Sequence, residues 1–130
     1  MYAELKQRIC RTCNKAKDKK EFSRMSRGKE TTQPDCKECR SYKEFVRGLK
    51  RFYDMTPEQY NDLLIAQNEC CACCGLHKSN FKRRLHVDHD HTTRQVRALL
   101  CTLCNPLVGF AKENIERLEM TIAYVKKFKK

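Results

Sequence analysis

The stretch Leu85-His86-Val87-Asp88-His89-Asp90-His91 is rich in potential metal ligands and proton carriers, and three of the four histidines lie in it. A Cys-x-x-Cys pair precedes it at Cys71 and Cys74, and a second follows at Cys101 and Cys104. Four thiolates in two such pairs are typical of a structural zinc site. One zinc ion held by them would close the base of a loop that carries acid and imidazole groups near its middle. The sequence therefore predicts a zinc-clamped loop at the centre of the fold.

A second zinc site is indicated nearer the start of the chain. Cys10 and Cys13 form one pair, Cys36 and Cys39 another, and 22 residues separate the two pairs. This spacing is close to that of zinc ribbons, in which two knuckles close on one tetrahedral ion. Few apolar side chains lie between the pairs, so metal binding should supply most of the folding free energy, about 10 kcal/mol or more for such sites. The pattern leaves open whether the ribbon contacts DNA, binds protein or braces its neighbour.

Composition favours metal over a large apolar core. The chain has 130 residues, ten cysteines, no Trp and a mean hydropathy of -0.79. No apolar run approaches the length of a membrane span, and residues 1–11 lack the apolar stretch of a signal peptide. We therefore expect a cytoplasmic protein without a membrane partner. Its thiols would stay reduced there and bind zinc rather than form disulfides.

The charge balance points to a polyanionic partner. Lys and Arg number 28 against 16 Asp and Glu, which gives a formal net charge of +12. Small basic proteins without export signals commonly bind nucleic acid, because each phosphate that they neutralise releases counterions. The alternative is a solvated surface on which charge only maintains solubility.

These features predict a small zinc-stabilised α+β protein in three parts. Residues 1–42 form the N-terminal zinc ribbon, residues 43–68 form connecting basic and amphipathic helices, and residues 69–130 form the domain with the central loop. The first connecting helix is predicted over Ser41–Tyr53, and Thr56-Pro57 is typical of the start of a second one.

The cysteine run from Cys70 to Cys74 contains two overlapping Cys-x-x-Cys frames. We assign Cys71 and Cys74 as ligands, because Gly75 directly after Cys74 can adopt the positive φ that a tight metal knuckle needs. Cys70 and Cys73 are then left to pack as small apolar groups or to remain exposed and oxidisable.

The central loop is predicted to be a hairpin followed by a helix. Leu85–His91 has the character of a strand, Thr92–Gln95 of its turn and Val96–Leu100 of the returning strand, with a helix beginning near Thr102. An apolar stripe predicts a last helix over much of Ala111–Phe128, with a break near Gly109. That stripe is suited either to internal packing or to pairing two chains as a homodimer.

The residues of this hairpin and helix suit hydrolysis assisted by a metal ion. Asp88 and Asn105 offer the oxygen ligands that a hard cation such as Mg²⁺ prefers. His89 can act as a general base that takes a proton from water. Structural alternatives remain open: Asp88 pairs with Arg97 instead, or Asn105 only completes the zinc knuckle. Asp90 is expected to have a structural role.

Three motifs together resemble a known family. Cys71-Ala-Cys-Cys-Gly75, the stretch Leu85–His91 and Val96-Arg-Ala-Leu-Leu-Cys-Thr-Leu-Cys-Asn105 are similar, in order and spacing, to the recombination endonuclease VII branch of the HNH (ββα-metal) nucleases, which are common in bacteriophages. The resemblance covers roughly residues 56–130. It implies zinc on the four cysteines, a catalytic Mg²⁺ or Mn²⁺ on Asp88 and Asn105, and His89 as the base. It further implies that His91 contacts or polarises the scissile phosphate.

The chain departs from this family pattern at three positions. Arg94 and Ala98 stand where relatives often have Gly, so the hairpin turn is expected to differ locally. Val108 replaces an acidic residue that assists catalysis in the best-known member.

The resulting expectation is a DNA endonuclease that acts on double-stranded or branched DNA and leaves 5′-phosphate ends. Its basic side chains would hold the DNA by its phosphates, and the candidates are Lys43, Arg47, Lys50, Arg51, Lys82, Arg83, Arg84 and Arg97. The first alternative is a non-catalytic zinc-ribbon regulator that binds DNA or RNA. The second is a scaffold that recruits a partner through its ribbon.

Overall fold

The chain forms two compact units in the computed structural model, which describes residues 7–26 and 32–130. The first unit ends at Pro57, and the second runs from Glu58 to Lys130. Short antiparallel strand pairs and four α-helices make up the two units, and each unit contains one cluster of four cysteines. The small α+β fold is confirmed.

The first unit is a zinc ribbon built on two strand pairs. Strands β1 (Gln7–Ile9) and β2 (Ala16–Asp18) pair antiparallel, and β3 (Phe22–Arg24) pairs with β4 (Thr32–Cys36). Cys10 directly follows β1 and is fully buried, as is Cys36 at the end of β4. The two thiols pack against the buried ring of Phe22, so the cysteines themselves form much of this small core.

Helix α1 (Lys37–Tyr53) begins four residues earlier than the predicted start at Ser41. Its first turn is part of the zinc knuckle, since the Cys36 thiol caps the helix by accepting the backbone N–H of Cys39 at 3.5 Å. Asp54 ends the helix in the left-handed conformation. The apolar stripe of α1 buries only Leu49 among the residues described.

Helix α2 (Pro57–Ala66) starts where Thr56-Pro57 predicts, and all of it after Pro57 belongs to the second unit. Tyr60 and Leu64 are its buried side chains. The Tyr60 hydroxyl donates a hydrogen bond to the backbone oxygen of Leu85 at 2.8 Å. Tyr60 therefore ties α2 to the chain immediately before the central hairpin.

The central hairpin consists of β5 (His86–His89) and β6 (Val96–Leu100), and the bounds of β6 agree with the prediction. Strand β5 ends two residues before the predicted His91. It stops because the Asp90 carboxylate turns the chain, accepting the backbone N–H groups of Thr92 and Thr93 at 2.8 and 2.7 Å.

The last part of the chain contains helices α3 (Cys104–Ala111) and α4 (Ile115–Phe128). The predicted break near Gly109 is wrong in position, because the break lies at residues 112–114. Lys112 and Glu113 adopt positive φ, and the Asn114 side chain caps α4 by accepting the backbone N–H of Arg117 at 2.7 Å. No helix of the described residues is long and apolar enough to cross a membrane.

Candidate functional site

Each unit brings four thiols to one point. The sulfur atoms of each cluster lie within 4.8 Å of one another, the clusters being Cys10, Cys13, Cys36 and Cys39, and Cys71, Cys74, Cys101 and Cys104. Zinc–sulfur bonds of about 2.3 Å place tetrahedral sulfurs about 3.8 Å apart. The sulfurs of Cys74 and Cys101 are 3.9 Å apart. The donor sets therefore fit two structural zinc ions.

The two knuckles share one hydrogen-bond pattern. The N–H of Gly75 donates to the Cys71 carbonyl at 2.9 Å, and Asn14 makes the same bond to Cys10 at 2.9 Å. Both Gly75 (φ 74°) and Asn14 (φ 55°) adopt the left-handed conformation. Gly75 thus has the backbone conformation on which the choice of the Cys71 and Cys74 frame rested. The Cys70 thiol lies outside the cluster and donates to the Asn68 carbonyl.

Within each cluster, a backbone N–H group of one Cys-x-x-Cys pair points at a sulfur of the other pair. Cys101 donates to the Cys71 sulfur at 3.3 Å, and Cys36 donates to the Cys10 sulfur at 3.3 Å. Backbone hydrogen bonds from Cys13 and Cys36 lower the pKa of Cys10 to about 6. At Cys71 burial raises the pKa, but backbone hydrogen bonds from Cys74 and Cys101 outweigh burial and lower the pKa to about 6. In each cluster the fold therefore favours the thiolate form of one cysteine, Cys10 or Cys71, whereas neighbouring thiols and burial raise the pKa of Cys39 and Cys104.

Gln67 fastens the zinc knuckle to the hairpin, a role that sequence reasoning missed. Its carboxamide nitrogen donates to the Leu99 oxygen at 2.9 Å and to the Cys70 oxygen at 2.8 Å, while its oxygen accepts the Leu99 N–H at 2.8 Å. A single glutamine beyond the end of a helix gives no sequence signal for such a long-range contact.

Asp88 is engaged by an arginine on the neighbouring strand. Arg97 Nε and one terminal nitrogen donate to the two carboxylate oxygens of Asp88, at 2.7 and 3.1 Å. Its other terminal nitrogen lies 3.0 Å from the Glu113 carboxylate. The hydrogen bonds and charge of Asp88, with those of Glu113, raise the pKa of Arg97. The alternative role considered for Asp88, an ion pair with Arg97, is thus present, and Glu113 joins it.

The hairpin also brings two histidine rings together. The centroids of His89 and His91 lie 4.7 Å apart with the rings inclined by 53°. His89 is half-buried at the end of β5, whereas His91 is exposed in the turn. Within residues 7–26 and 32–130, groups of three or more Cys, His or acidic ligands occur only at the two cysteine clusters, so the histidines belong to neither.

Asn105 lies in the first turn of α3, directly after the zinc ligand Cys104. Its backbone N–H donates to the Cys101 carbonyl at 3.0 Å, which fixes the turn that carries it. The half-buried carboxamide has no hydrogen-bond partner in the part of the chain that the structure describes. Val108 follows one turn later on α3 and supplies no polar group.

Asp90 has the structural role expected of it. Hydrogen bonds from the backbone of Thr93 and then of Thr92 lower the pKa of its carboxyl group. The same turn holds Arg94 at φ 66°, the left-handed conformation that glycine adopts most easily. This conformation accounts for the glycine that relatives often carry at the position of Arg94.

The candidate phosphate-binding side chains are all exposed, and several already have acidic partners. On α1, Lys43 pairs with Asp35 at 2.8 Å, and Lys50 pairs with Asp54 one turn later. Arg51 lies over the ring of Phe52. Lys82, Arg83 and Arg84 project from the loop before β5.

Comparison with known proteins identifies the family to which most of the chain is similar. Residues 46–127 match the family model described as recombination endonuclease VII. The chain is 38% identical over 99 residues to the Gene 59 protein of Mycobacterium phage D29, covering 75% of this chain and 59% of that protein. It is 39% identical over 74 residues to the Gene 59 protein of Mycobacterium phage L5, covering 56% and 44%. The chain thus spans about half the length of these curated relatives.

A solved structure was also found to be similar, the ββα-Me type II restriction endonuclease Hpy99I. It is 26% identical, with a TM-score of 0.42, and the match covers 95% of this chain and 67% of that one. A TM-score at this level carries no argument about function.

Proposed function

Because this chain belongs to the recombination endonuclease VII family, we propose that it is a metal-dependent DNA endonuclease of the HNH type. The observation that carries the proposal is the end of β5, where Asp88 and His89 are successive residues and the His89 ring meets that of His91 within the matched segment. A protein that only binds DNA does not require this combination of side chains.

His89 is the proposed general base. Its imidazole takes a proton from water, and the resulting hydroxide attacks phosphorus in line with the 3′ oxygen. The bond from phosphorus to that oxygen breaks, and the departing 3′ oxygen takes a proton from solvent, which leaves a 5′-phosphate and a 3′-hydroxyl end. His91, whose ring contacts that of His89, is the proposed contact to the scissile phosphate.

Asp88 and Asn105 are the proposed ligands of one divalent cation, Mg²⁺ or Mn²⁺. The Asp88 carboxylate and the Asn105 carboxamide offer oxygen donors of the kind that both ions accept. The Asn105 carboxamide has no hydrogen-bond partner in the described chain. When bound, the cation supplies charge stabilisation to the phosphate oxygens and to the departing 3′ oxygen. Asn105 is held for this role by the zinc knuckle, because its backbone bonds to Cys101.

DNA is the proposed substrate, either double-stranded or branched. The exposed basic side chains of α1 and of the loop before β5 are the proposed contacts to phosphates, and the net charge of +12 supports binding to a polyanion. Arg97 is proposed as a further contact. The protein would act in the reducing cytoplasm of the infected cell, where its ten free thiols stay available to zinc.

We also propose that two chains pair through α4. Leu118 is its one half-buried residue, and large side chains on it are more than half exposed: Ile115, Met120, Ile122, Tyr124, Val125 and Phe128. Ile115, Leu118, Ile122 and Val125 follow the three- and four-residue spacing of a helix-pairing seam. The first half of α4 carries Glu116 and Glu119, and its end carries Lys126 and Lys127. An antiparallel second copy would therefore oppose acidic and basic ends.

The proposed activity is tested with the zinc-loaded protein on supercoiled plasmid, a branched junction and single-stranded DNA, each with Mg²⁺, Mn²⁺ or EDTA. Cleavage that requires the added cation and leaves 5′-phosphate ends supports the endonuclease. Binding without cleavage on all three substrates would contradict it and favour the non-catalytic regulator.

A further inference from the structure

Arg97 joins two carboxylates that are distant in sequence. Its guanidinium grips both oxygens of Asp88, at 2.7 and 3.1 Å, and reaches Glu113 at 3.0 Å with the remaining terminal nitrogen. The Arg97 guanidinium therefore bridges Asp88 on strand β5 of the hairpin and Glu113 in the turn that joins α3 to α4.

Two backbone irregularities produce this arrangement. Asp88 pairs with Ala98 and His89 pairs with Val96, so the ladder skips Arg97 as an additional residue of β6. A bulge of this kind redirects the side chain at the irregular position. Glu113 lies in the turn where it and Lys112 both have positive φ, and this turn returns its carboxylate to the hairpin.

Solvent reaches the network mainly at Arg97 and Glu113, whereas the Asp88 side chain is largely buried. The side chains of Asp88, Arg97 and Glu113 are 14%, 35% and 41% exposed. Because the Asp88 carboxylate is largely buried, it needs a positive partner, which either the guanidinium or a metal ion can supply. The guanidinium fork occupies one lone pair on each oxygen of Asp88, and a divalent cation on the same carboxylate would be repelled by the guanidinium charge, so the two compete for Asp88.

We propose that Arg97 is the resident counter-cation of Asp88, and that Glu113 retains its guanidinium when a divalent cation binds Asp88. This inference rests on the proposed function, since it takes Asp88 as a ligand of that cation. Glu113 is then a positioning residue that acts through Arg97. It places an acidic side chain beside the site although Val108 leaves none on α3. The nitrogens that release Asp88 become available to a DNA phosphate.

The test measures Mn²⁺ binding to the zinc-loaded protein without DNA, by the electron paramagnetic resonance signal of free Mn²⁺. Arg97→Lys keeps the charge but loses the fork, so it should bind Mn²⁺ more tightly than wild type, by roughly two- to tenfold. Glu113→Gln leaves Arg97 on Asp88 and should weaken binding by a similar factor. Glu116→Gln removes one acidic charge from the nearby helix start and is the matched control. Asp88→Asn should abolish binding.

A double variant separates an effect of Glu113 through Arg97 from direct attraction between the Glu113 carboxylate and the cation. If Glu113 acts through Arg97, Glu113→Gln should have no effect in an Arg97→Ala background, whereas a direct effect of its charge would persist there. Wild-type affinity in Arg97→Lys, or a persistent Glu113→Gln effect in the double variant, would overturn the exchange and leave the proposed cation site intact. Absence of Mn²⁺ binding in both wild type and Arg97→Ala would overturn the cation site itself.

Discussion

The side chain of Gln67 pairs with the backbone of Leu99 through two hydrogen bonds, donating to its oxygen at 2.9 Å and accepting its N–H at 2.8 Å. Gln67 lies just beyond α2, and Leu99 is a fully buried residue of β6. The Leu99 oxygen also accepts the N–H of Ala72 at 3.1 Å, next to the zinc ligand Cys71. The hairpin and the zinc knuckle are thus joined at one point.

Replacement of Gln67 by Ala should destabilise the second unit. The change leaves the N–H of the buried residue Leu99 without its acceptor, while the Leu99 oxygen keeps the Ala72 N–H, at a cost of about 1–3 kcal/mol. Denaturant unfolding of the zinc-loaded protein measures the change in the free energy of unfolding. Gln95→Ala, in the exposed hairpin turn, is the matched control and should change stability by less than about 0.5 kcal/mol. Equal stability of the two variants would show that the Gln67 hydrogen bonds do not support the fold.

The two overlapping cysteine frames predict different zinc contents. Cys71→Ser removes a ligand whose sulfur lies in the second cluster, so the purified protein should retain about one zinc ion per chain instead of about two. Cys73→Ser changes the neighbouring frame and should retain both ions. Elemental analysis of each variant gives the ratio directly. A loss of zinc in Cys73→Ser with none in Cys71→Ser would reverse the assignment.

Local chemistry made much of this architecture predictable. The paired cysteines and Gly75 act within a few positions of one another, so their spacing identified the knuckle, and the turn was predicted at Thr92–Gln95 although Asp90 was expected within the strand. Thr56-Pro57 likewise located the start of α2.

Other features depend on contacts that a sequence does not display. Gln67 and Glu113 acquire their roles from partners 32 and 16 positions away in the numbering, Leu99 and Arg97. The break between α3 and α4 followed the cap at Asn114 rather than Gly109, because a side-chain cap can end one helical run and begin the next. The pairing of Asp88 with Arg97 was foreseen only as an alternative, since alternation along a strand cannot locate a bulge.

Asp90→Ala should lower the melting temperature of the hairpin unit by several degrees, because two backbone N–H groups lose their acceptor. The pKa of Asp90 is lowered in the folded chain, so its contribution is fully present above the ordinary value of 3.8 and lost only as the pH falls through the lowered one. Thermal unfolding should therefore give the same loss at pH 6 and at pH 8. Thr92→Ala, which keeps the backbone donor, is the control, and an equal loss in both variants would refute the role of the carboxylate.

Ile122→Lys should prevent pairing of two chains through α4. The substitution places a charge in the middle of the apolar seam, where a second copy would have to desolvate it. Light scattering coupled to size exclusion should give twice the chain mass of 15.4 kDa for wild type and a single chain for the variant. Thr121→Lys changes the adjacent exposed position and should leave the dimer intact. A monomeric wild type at high concentration would contradict the pairing.

The most direct test of the account compares nicking of supercoiled plasmid in Mg²⁺ by zinc-loaded wild type, His89→Ala and His77→Ala. His77 lies in the same unit, hydrogen-bonded to Ser79 and Glu69, and controls for the general loss of an imidazole. The account predicts that wild type and His77→Ala convert the plasmid to the open circle, and that His89→Ala does so at least about 100-fold more slowly. Equal nicking rates for His89→Ala and wild type would contradict it.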